Sequence, residues 1–399
     1  MPHARRSALS ETLPVVTLRG ELTYRHPLLF HRTVEKPRER IPPGSIVELR
    51  TAEGGFIGRG FWNAQAPYVL RLLTEHENEA IDAAFFRRRI AEAVRLRREV
   101  LRLDEVSNAW RVVHAEGDGL SGLIVDRYDR VLVVVFHAAG MWRHQHWVFD
   151  ALLEAFPGCQ IVALADEHAA EQEGFEVPAA RALAPVWVSE HGARFLVAVG
   201  GKHKTGFFCD QRDNRRRFGE FVAAIGAKSV LDLCANSGGF TVYAGRAGAG
   251  ELTALELDQE AITLAERNLR ENGLKARLVR ADLFPWLREA IAAGKRWDAV
   301  VLDPPKLTRS REELDRALKK YLDMNRLALS VVAPGGLYLT CSCTGLVSEE
   351  AFLDMLRRAA FQAGRTVQVL EVRGAGPDHP WLAHVAESRY LKAVFARVF

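Results

Sequence analysis

From Lys228 onward the chain alternates between short apolar runs and amphipathic ones. "SVLDLCA" leads into "NSGGFTVYAGRAG", "ELTALELD" into "QEAITLAERNLRENG", and "ARLVRADLF" into "WLREAIAAG". "WDAVVLDPP" then leads into "REELDRALKKYLDMNRLALSVV", and "GGLYLTCSC" into "SEEAFLDMLRRAAFQAG", before "RTVQVLEVRG" closes the series. The apolar runs have the length and β-branched content of buried strands, and the segments between them carry helical spacing. Parallel strands need a crossover connection, which here is a helix each time. The alternation therefore predicts an α/β fold with a doubly wound parallel sheet and helices on both faces. In such sheets ligands collect outside the carboxyl ends of the strands.

The first half obeys a different grammar. "PVVTL", "SIVELR", "FIGRGFW" and "YVLRLLT" are short strands broken by Pro42, Pro43, Gly44 and by Gly54, Gly55, which predicts a small β-rich module. Residues 79–103 read as one amphipathic helix with Phe86, Ile90, Ala93 and Leu101 near one face. Strands recur across 110–200, with a helix around Trp147–Phe156, as in a small α+β unit. Three domains are expected: 1–75, 76–200 and 201–399.

With five cysteines in 399 residues, a disulfide framework is not expected. "MPHARRSALSETLPVV" lacks the apolar core of a signal peptide, and the run from Val131 is shorter than a bilayer span. A soluble, cytoplasmic protein is the expectation. The net charge of +4 says little about partners, but its distribution says more. Residues 86–102 hold seven Arg against two Glu, and "DQRDNRRRFGEF" from Asp210 forms a second basic patch. Each is either a solvated helix face or a nucleic-acid contact.

"LDLCANSGGF" (231–240) is a strand-to-helix turn in which Gly238 and Gly239 would let backbone approach a ligand. It is not a G-x-G-x-x-G pyrophosphate cradle. Asp232 would repel a phosphate and suits a ligand carrying an amine or a sulfonium. Glu256 closes the next strand, where a carboxylate can accept both ribose hydroxyls, and Asp282 closes the third, within reach of an adenine amino group. Each could instead be a helix N-cap. Three in succession point to S-adenosylmethionine, with Cys234, Asn236, Ser237, Gly238, Leu257 and Leu283 beside them as further donor-site candidates. At the fourth strand end, "LDPPK" holds Asp303 before two rigid prolines. Lys306 stands where amino-group methyltransferases of nucleic acids commonly carry an aromatic, which argues against N-methylation.

"LTCSCTG" places Cys341 and Cys343 one residue apart where a strand ends. A metal site would need a second ligand pair, and a disulfide between i and i+2 is sterically awkward, so no metal is expected. A buried structural thiol and a nucleophile remain. Carbon 5 of a pyrimidine needs a thiolate added at carbon 6 before it can attack a methyl sulfonium. Such a thiolate needs a lowered pKa, for which Lys306 and Arg212 are candidate sources of positive charge.

Together, "GDGLSGLIVDRY" (117–128), "KTGFFCDQRDNRRR" (204–217), "VVLDPPK" (300–306), "MNRLALSVVAPGG" (324–336), "TCSCTGLVSEEAF" (340–352) and "PDHPWLAHVAESRYLK" (377–392) resemble the bacterial 23S ribosomal RNA cytosine-C5 methyltransferases of the RlmI/RlmO type. The resemblance covers almost the whole chain. It implies an N-terminal PUA-like RNA-binding domain, a central α+β domain and a C-terminal Rossmann-like methyltransferase domain. It also implies S-adenosylmethionine as cofactor, S-adenosylhomocysteine as product, and 23S rRNA or a precursor of the large ribosomal subunit as partner. A homodimer is a further expectation. The resemblance makes Cys341 the nucleophile and Cys343 its buried neighbour. Asp303 then meets the cytosine N3/N4 edge, and Asp232, Glu256, Asp282, Asp303 and the segment Asp210, Gln211, Arg212 line the donor pocket. Arg87, Arg88, Arg89, Lys204 and Arg215 are the candidate RNA contacts. Two alternatives stay open: an RNA-binding assembly factor of the same fold, and a methyltransferase acting on another base position or on a small molecule.

Overall fold

The computed structural model describes residues 13–22, 25–178, 183–200, 207–308 and 310–399. Lys204 lies outside them. The chain divides into two compact units. The first comprises residues 1–95, 112–125 and 132–181, and the second 96–111, 126–131 and 182–399.

In the first unit, five strands form one sheet in the order Val15–Thr17, Ser45–Arg50, Phe56–Trp62, Tyr68–Thr74, Leu28–Phe30. Val15–Thr17 runs parallel to its neighbour and the other pairings are antiparallel. Alternate side chains, among them Val47, Leu49, Trp62, Leu70 and Leu72, fill a separate small core. Gly60 is required where two strands cross closely, since a Cβ there would lie 1.9 Å from the Arg71 carbonyl oxygen. The helix expected over 79–103 is shorter. It spans Ala83–Arg95 and then widens into π-helical Leu96–Val100, where the Leu101 amide donates to the Leu96 carbonyl at 2.9 Å.

The second unit is built on seven strands: β1 Ser229–Leu233, β2 Glu251–Glu256, β3 Arg277–Arg280, β4 Trp297–Leu302, β5 Val332–Ser342, β6 Val367–Arg373 and β7 Lys392–Val398. Its helices are α1 Arg212–Ile225, α2 Gly239–Arg246, α3 Gln259–Glu271, α4 Leu283–Ala292, α5 Leu314–Ser330 and α6 Glu349–Gln362. The sheet order is β3-β2-β1-β4-β5-β7-β6. The first five strands are parallel, as the alternation demands. β7, which has no helix before it in the sequence pattern, inserts antiparallel between β5 and β6. The sheet is therefore mixed at one edge rather than wholly parallel.

The pleat sorts each strand between two cores. Leu231, Leu233, Val300, Leu302 and Tyr338 face one core with Tyr321, Leu327 and Phe352. Val230, Ala299, Val301, Leu339 and Cys341 face the other, with Phe218, Val222, Phe240 and Phe395. Full burial of each large apolar side chain contributes roughly 1.5–3 kcal/mol. This two-sided burial explains why the strands read as continuous apolar runs instead of alternating ones.

Candidate active site

Strand parity decides which side chains converge at the carboxyl ends of the sheet. Asp232, Glu256, Asp303 and Cys341 share parity with Val230, Leu252, Val301 and Leu339, so all four lie on the face covered by α1 and α2. Register then sets their order. Asp232 pairs with Val301, and Leu302 with Thr340, so Asp303 and Cys341 follow side by side at adjacent strand ends.

The loop from β1 to α2 is shaped by its backbone. Cys234 (φ 62°) and Asn236 (φ 47°) both take left-handed conformations, as does Gly238 (φ 79°). The loop is pinned to β2 by the Ala235 amide on the Leu255 carbonyl at 3.0 Å and by the Asn236 amide on Glu256 Oε2 at 2.8 Å. Glu256 Oε1 accepts from the amides of Leu257 (2.7 Å) and Asp258 (3.1 Å). Glu256 is thus held by backbone and is no helix cap, because Asp258 caps α3 instead. Asp282 does cap a helix, accepting from the Phe284 amide at the start of α4. Leu283 is buried in the core, while Leu257 is 63% exposed beside Glu256. The buried Ser237 offers its carbonyl to Asn268 Nδ2 at 2.9 Å. Gly239 corrects the sequence reading. A Cβ there would sit 2.7 Å from Arg215 Cδ, so the second glycine makes room for an arginine, not for a ligand.

Asp232 is 1% exposed and accepts both the amide (3.0 Å) and the hydroxyl (2.7 Å) of Thr241 on one oxygen. Its other oxygen, Oδ1, is buried without a hydrogen-bond partner. Burial pushes this carboxyl up to about 6, against the two Thr241 bonds and with the charge of Glu256. Asp303 is pushed further, to about 7, by burial and then by the charge of Asp210, while the bond from Gln211 Nε2 at 3.0 Å opposes the rise. An unpaired carboxylate oxygen among acids fits a cationic or hydrogen-bond-donating ligand and repels a phosphate. This donor set fits S-adenosylmethionine.

Around these acids the segment before α1 is tightly bonded. Gln211 bridges Asp303 and Asn214 Nδ2, the latter at 2.7 Å, and Tyr390 OH donates to Asp210 Oδ2 at 2.6 Å. Arg212 was expected to lend charge to a thiolate. Instead it is 1% exposed and spans Asp378 with two bonds of 3.0 and 3.1 Å, and it also pairs with Asp213. Asp378 accepts from the Arg111 amide as well. Burial alone would raise its pKa, but His379 and Arg212 outweigh burial and hold it well below the carboxylate range. Arg215 is likewise no surface contact. It is buried, its guanidinium bonds both oxygens of Glu190 at 2.9 and 2.6 Å, and it therefore drops out as an RNA-facing residue. Its neighbours Arg216 and Arg217 pair with Glu220 and Glu371. Arg87, Arg88 and Arg89 remain at least partly exposed, the first paired to Glu154 and the other two to Glu79.

The cysteines exchange the burial expected of them. Cys341 is 0% exposed and packs in the apolar core, whereas Cys343, just past the end of β5, is half-buried. Burial and the Asp303 charge push the Cys341 thiol well up, partly opposed by a hydrogen bond with Gln211. The Cys343 thiol rises to about 12 through burial and the charges of Asp303 and Asp210, with Lys306 pulling it down. The exposed Lys306 thus acts on Cys343. The turn bearing Cys343 is fixed by Lys392 Nζ, which donates to the carbonyls of Thr344 (2.7 Å) and Tyr390 (2.8 Å), and by Tyr321 OH, within 2.9 Å of Thr344 Oγ1 and 3.0 Å of Ser342 Oγ. Asp378, Tyr390, Lys392 and Tyr321 carry this architecture without having been singled out. The first three lie in the quoted motif 377–392, but nothing local in the sequence reveals that Asp378 and Tyr390 meet partners 166 and 180 residues away, or that Lys392 meets one 48 residues away.

Comparison with known proteins agrees with this chemistry. A family model described as "S-adenosylmethionine-dependent methyltransferase" matches residues 167–396, more than half the chain. The chain belongs to that family. Residues 20–75 of this methyltransferase match a model for a PUA-like domain. Its curated relatives include ribosomal RNA large subunit methyltransferase I from Klebsiella pneumoniae, 35% identical with 94% of this chain and 95% of the relative covered. The same-named protein of Shewanella amazonensis is 36% identical over 95% and 96%. In fold, the methyltransferase is similar to a crystallised methyltransferase complexed with S-adenosylhomocysteine (TM-score 0.79, 19% identity, 97% and 100% covered). A second similar structure is a S-adenosylmethionine-dependent methyltransferase from Streptococcus mutans (TM-score 0.77, 19% identity, 93% and 95% covered). The cofactor of the family is S-adenosylmethionine. No helix among the described residues is long and apolar enough to cross a membrane.

Proposed function

We propose that the protein transfers a methyl group to carbon 5 of a specific cytosine in 23S ribosomal RNA, through a covalent bond between Cys341 and carbon 6 of the base. The observation that carries the reading is the placement of Cys341 beside Asp303, on the sheet face that also bears Asp232 and Glu256. The relatives' shared name supports ribosomal RNA as the substrate.

Each group has a task that its environment suits. Asp232 and Glu256 hold the donor, with Leu257 as an apolar neighbour and Asp282 at the third strand end. When bound, S-adenosylmethionine supplies an electrophilic methyl and a sulfonium charge that offsets the surrounding acids. Asp303, with a pKa of about 7, is available near neutrality as a protonated acid that donates to cytosine N3 and accepts from N4. Its protonation also removes the negative charge that most opposes ionisation of Cys341 after burial itself. The Cys341 thiolate would add at carbon 6 and shift the electron pair to carbon 5, which would take the methyl as its bond to the sulfonium sulfur breaks and S-adenosylhomocysteine leaves. Removal of the carbon 5 proton by a base, Asp303 or a water it activates, would then expel the Cys341 thiolate from carbon 6.

The division of labour follows the expected domains. Residues 1–75 bind RNA with Arg87, Arg88 and Arg89 of the central 76–200 domain, and 201–399 carry out transfer, in the cytoplasm and as a homodimer. One observation favours a second reading for the nucleophile: Cys343 is the less buried thiol and has Lys306 acting on it. The reaction is tested by incubating the protein with S-adenosylmethionine and in-vitro transcribed 23S rRNA, then digesting to nucleosides for mass spectrometry. 5-Methylcytidine is expected. A methylated adenosine, an N4-methylcytidine or no product contradicts the proposal.

A further inference from the structure

The segment after β6 forms a pocket of about 380 Å³ whose walls include His379, Trp381, Ser388, Arg389 and Tyr390. Its chemistry is not that of the donor site. Trp381 is 47% exposed, although an indole of this size is usually found far more covered. The Arg389 guanidinium lies over that ring, 5.8 Å from its centre, and is paired at 2.7 Å with Glu349 in the first turn of α6. Among the described residues Glu349 is its ion-pair partner, so a planar cation with further donors stands beside a half-exposed indole.

The pocket is fixed to the reacting end of the sheet. Its wall residue Tyr390 reaches Asp210, next in sequence to the Gln211 that bonds Asp303. The Tyr390 carbonyl accepts from Lys392 Nζ, which also holds Thr344, the neighbour of Cys343. The Asp378–Arg212 pair anchors the near end of the segment. A pocket so tied presents its contents at a set distance from the strand ends.

We infer that this pocket is a nucleotide subsite, in which Trp381 stacks on an unpaired base of the RNA and Arg389 meets the adjoining phosphate. Single-stranded RNA is gripped in this way, by an aromatic face for a base and a guanidinium for the backbone. Tyr390 ties that subsite, through Asp210 and its neighbour Gln211, to Asp303. The inference rests on RNA being the substrate, and the test keeps the two apart.

Binding of in-vitro transcribed 23S rRNA is measured by filter retention for the wild type, Trp381→Ala, Trp381→Phe and Arg389→Gln, with S-adenosylhomocysteine affinity measured by calorimetry for each. Trp381→Ala is expected to weaken RNA binding about tenfold or more, and Trp381→Phe to keep it within about threefold. Arg389→Gln should reduce the slope of log affinity against log salt by about 0.7, the value for one phosphate contact on a single strand. S-adenosylhomocysteine affinity should not change. Unaltered RNA affinity in Trp381→Ala, or equal losses for RNA and S-adenosylhomocysteine, would overturn the subsite. Absence of RNA binding by the wild type would instead sink the substrate assignment, and this inference with it.

Discussion

The two halves of the sheet's carboxyl edge solve different problems. At the β1 and β2 ends, acids are held by partners no more than 20 residues away in sequence. Glu256 takes three backbone amides, and Asp232 takes the amide and hydroxyl of Thr241. At the β4 and β5 ends the groups proposed to react are held from farther off, Asp303 by Gln211, 92 residues away, and the Cys343 turn by Lys392, 48 residues from Thr344. On the proposed mechanism the first half is the donor site, built from residues near in sequence, and the second is the acceptor site, drawn together from farther along the chain. The donor half should therefore respond to substitution as a binding site, and the acceptor half as a site where chemistry fails while binding persists.

The largest effect expected is that of Cys341→Ala, which should reduce methyl transfer by at least about 10³-fold, read as tritium incorporated into the 23S transcript, with S-adenosylmethionine affinity unchanged. Asp303→Asn keeps the shape of the site but removes the titrating proton. Transfer should fall about 10²-fold, and any inflection near pH 7 in kcat/KM should vanish. Asp232→Asn, in the donor half, should instead weaken S-adenosylmethionine binding by roughly tenfold to a hundredfold in calorimetry. The sign of the pH effect is fixed: with its pKa raised to about 6, Asp232 is neutral below that pH, so wild-type affinity for the cationic donor falls as pH drops through about 6. The Asn variant should lose that dependence. The smallest effect is that of Cys343→Ala, expected to keep activity within about threefold and to shift stability by about 1 kcal/mol or less, by thermal denaturation.

The same contrast marks what the sequence could reveal. The alternation from Lys228 encodes the layered sheet because burial on both faces leaves a period that any reader of apolar runs detects. Asp232, Glu256 and Asp303 could be read as candidates because each lies at or beside the carboxyl end of an identifiable strand. β7 was not, since nothing in "KAVFARV" says that it inserts antiparallel between β5 and β6. The arginines of α1 misled for a related reason. Composition shows their charge but not that Arg212 and Arg215 are buried against Asp378 and Glu190, 166 and 25 residues away in sequence. Cys343 is expected to be the buried neighbour of Cys341, but the burial falls the other way. The strand ends between them, so one faces the core and the other the rim.

The most direct test of the account is to trap the covalent bond. A 23S transcript carrying 5-fluorocytidine has no carbon 5 proton to lose, so the adduct persists after methyl transfer. With S-adenosylmethionine present, the wild type and Cys343→Ala should form a denaturant-resistant protein–RNA complex whose cross-linked peptide contains Cys341, and Cys341→Ala should form none. A complex that survives in Cys341→Ala, with the base attached to Cys343, would contradict the assignment of the nucleophile.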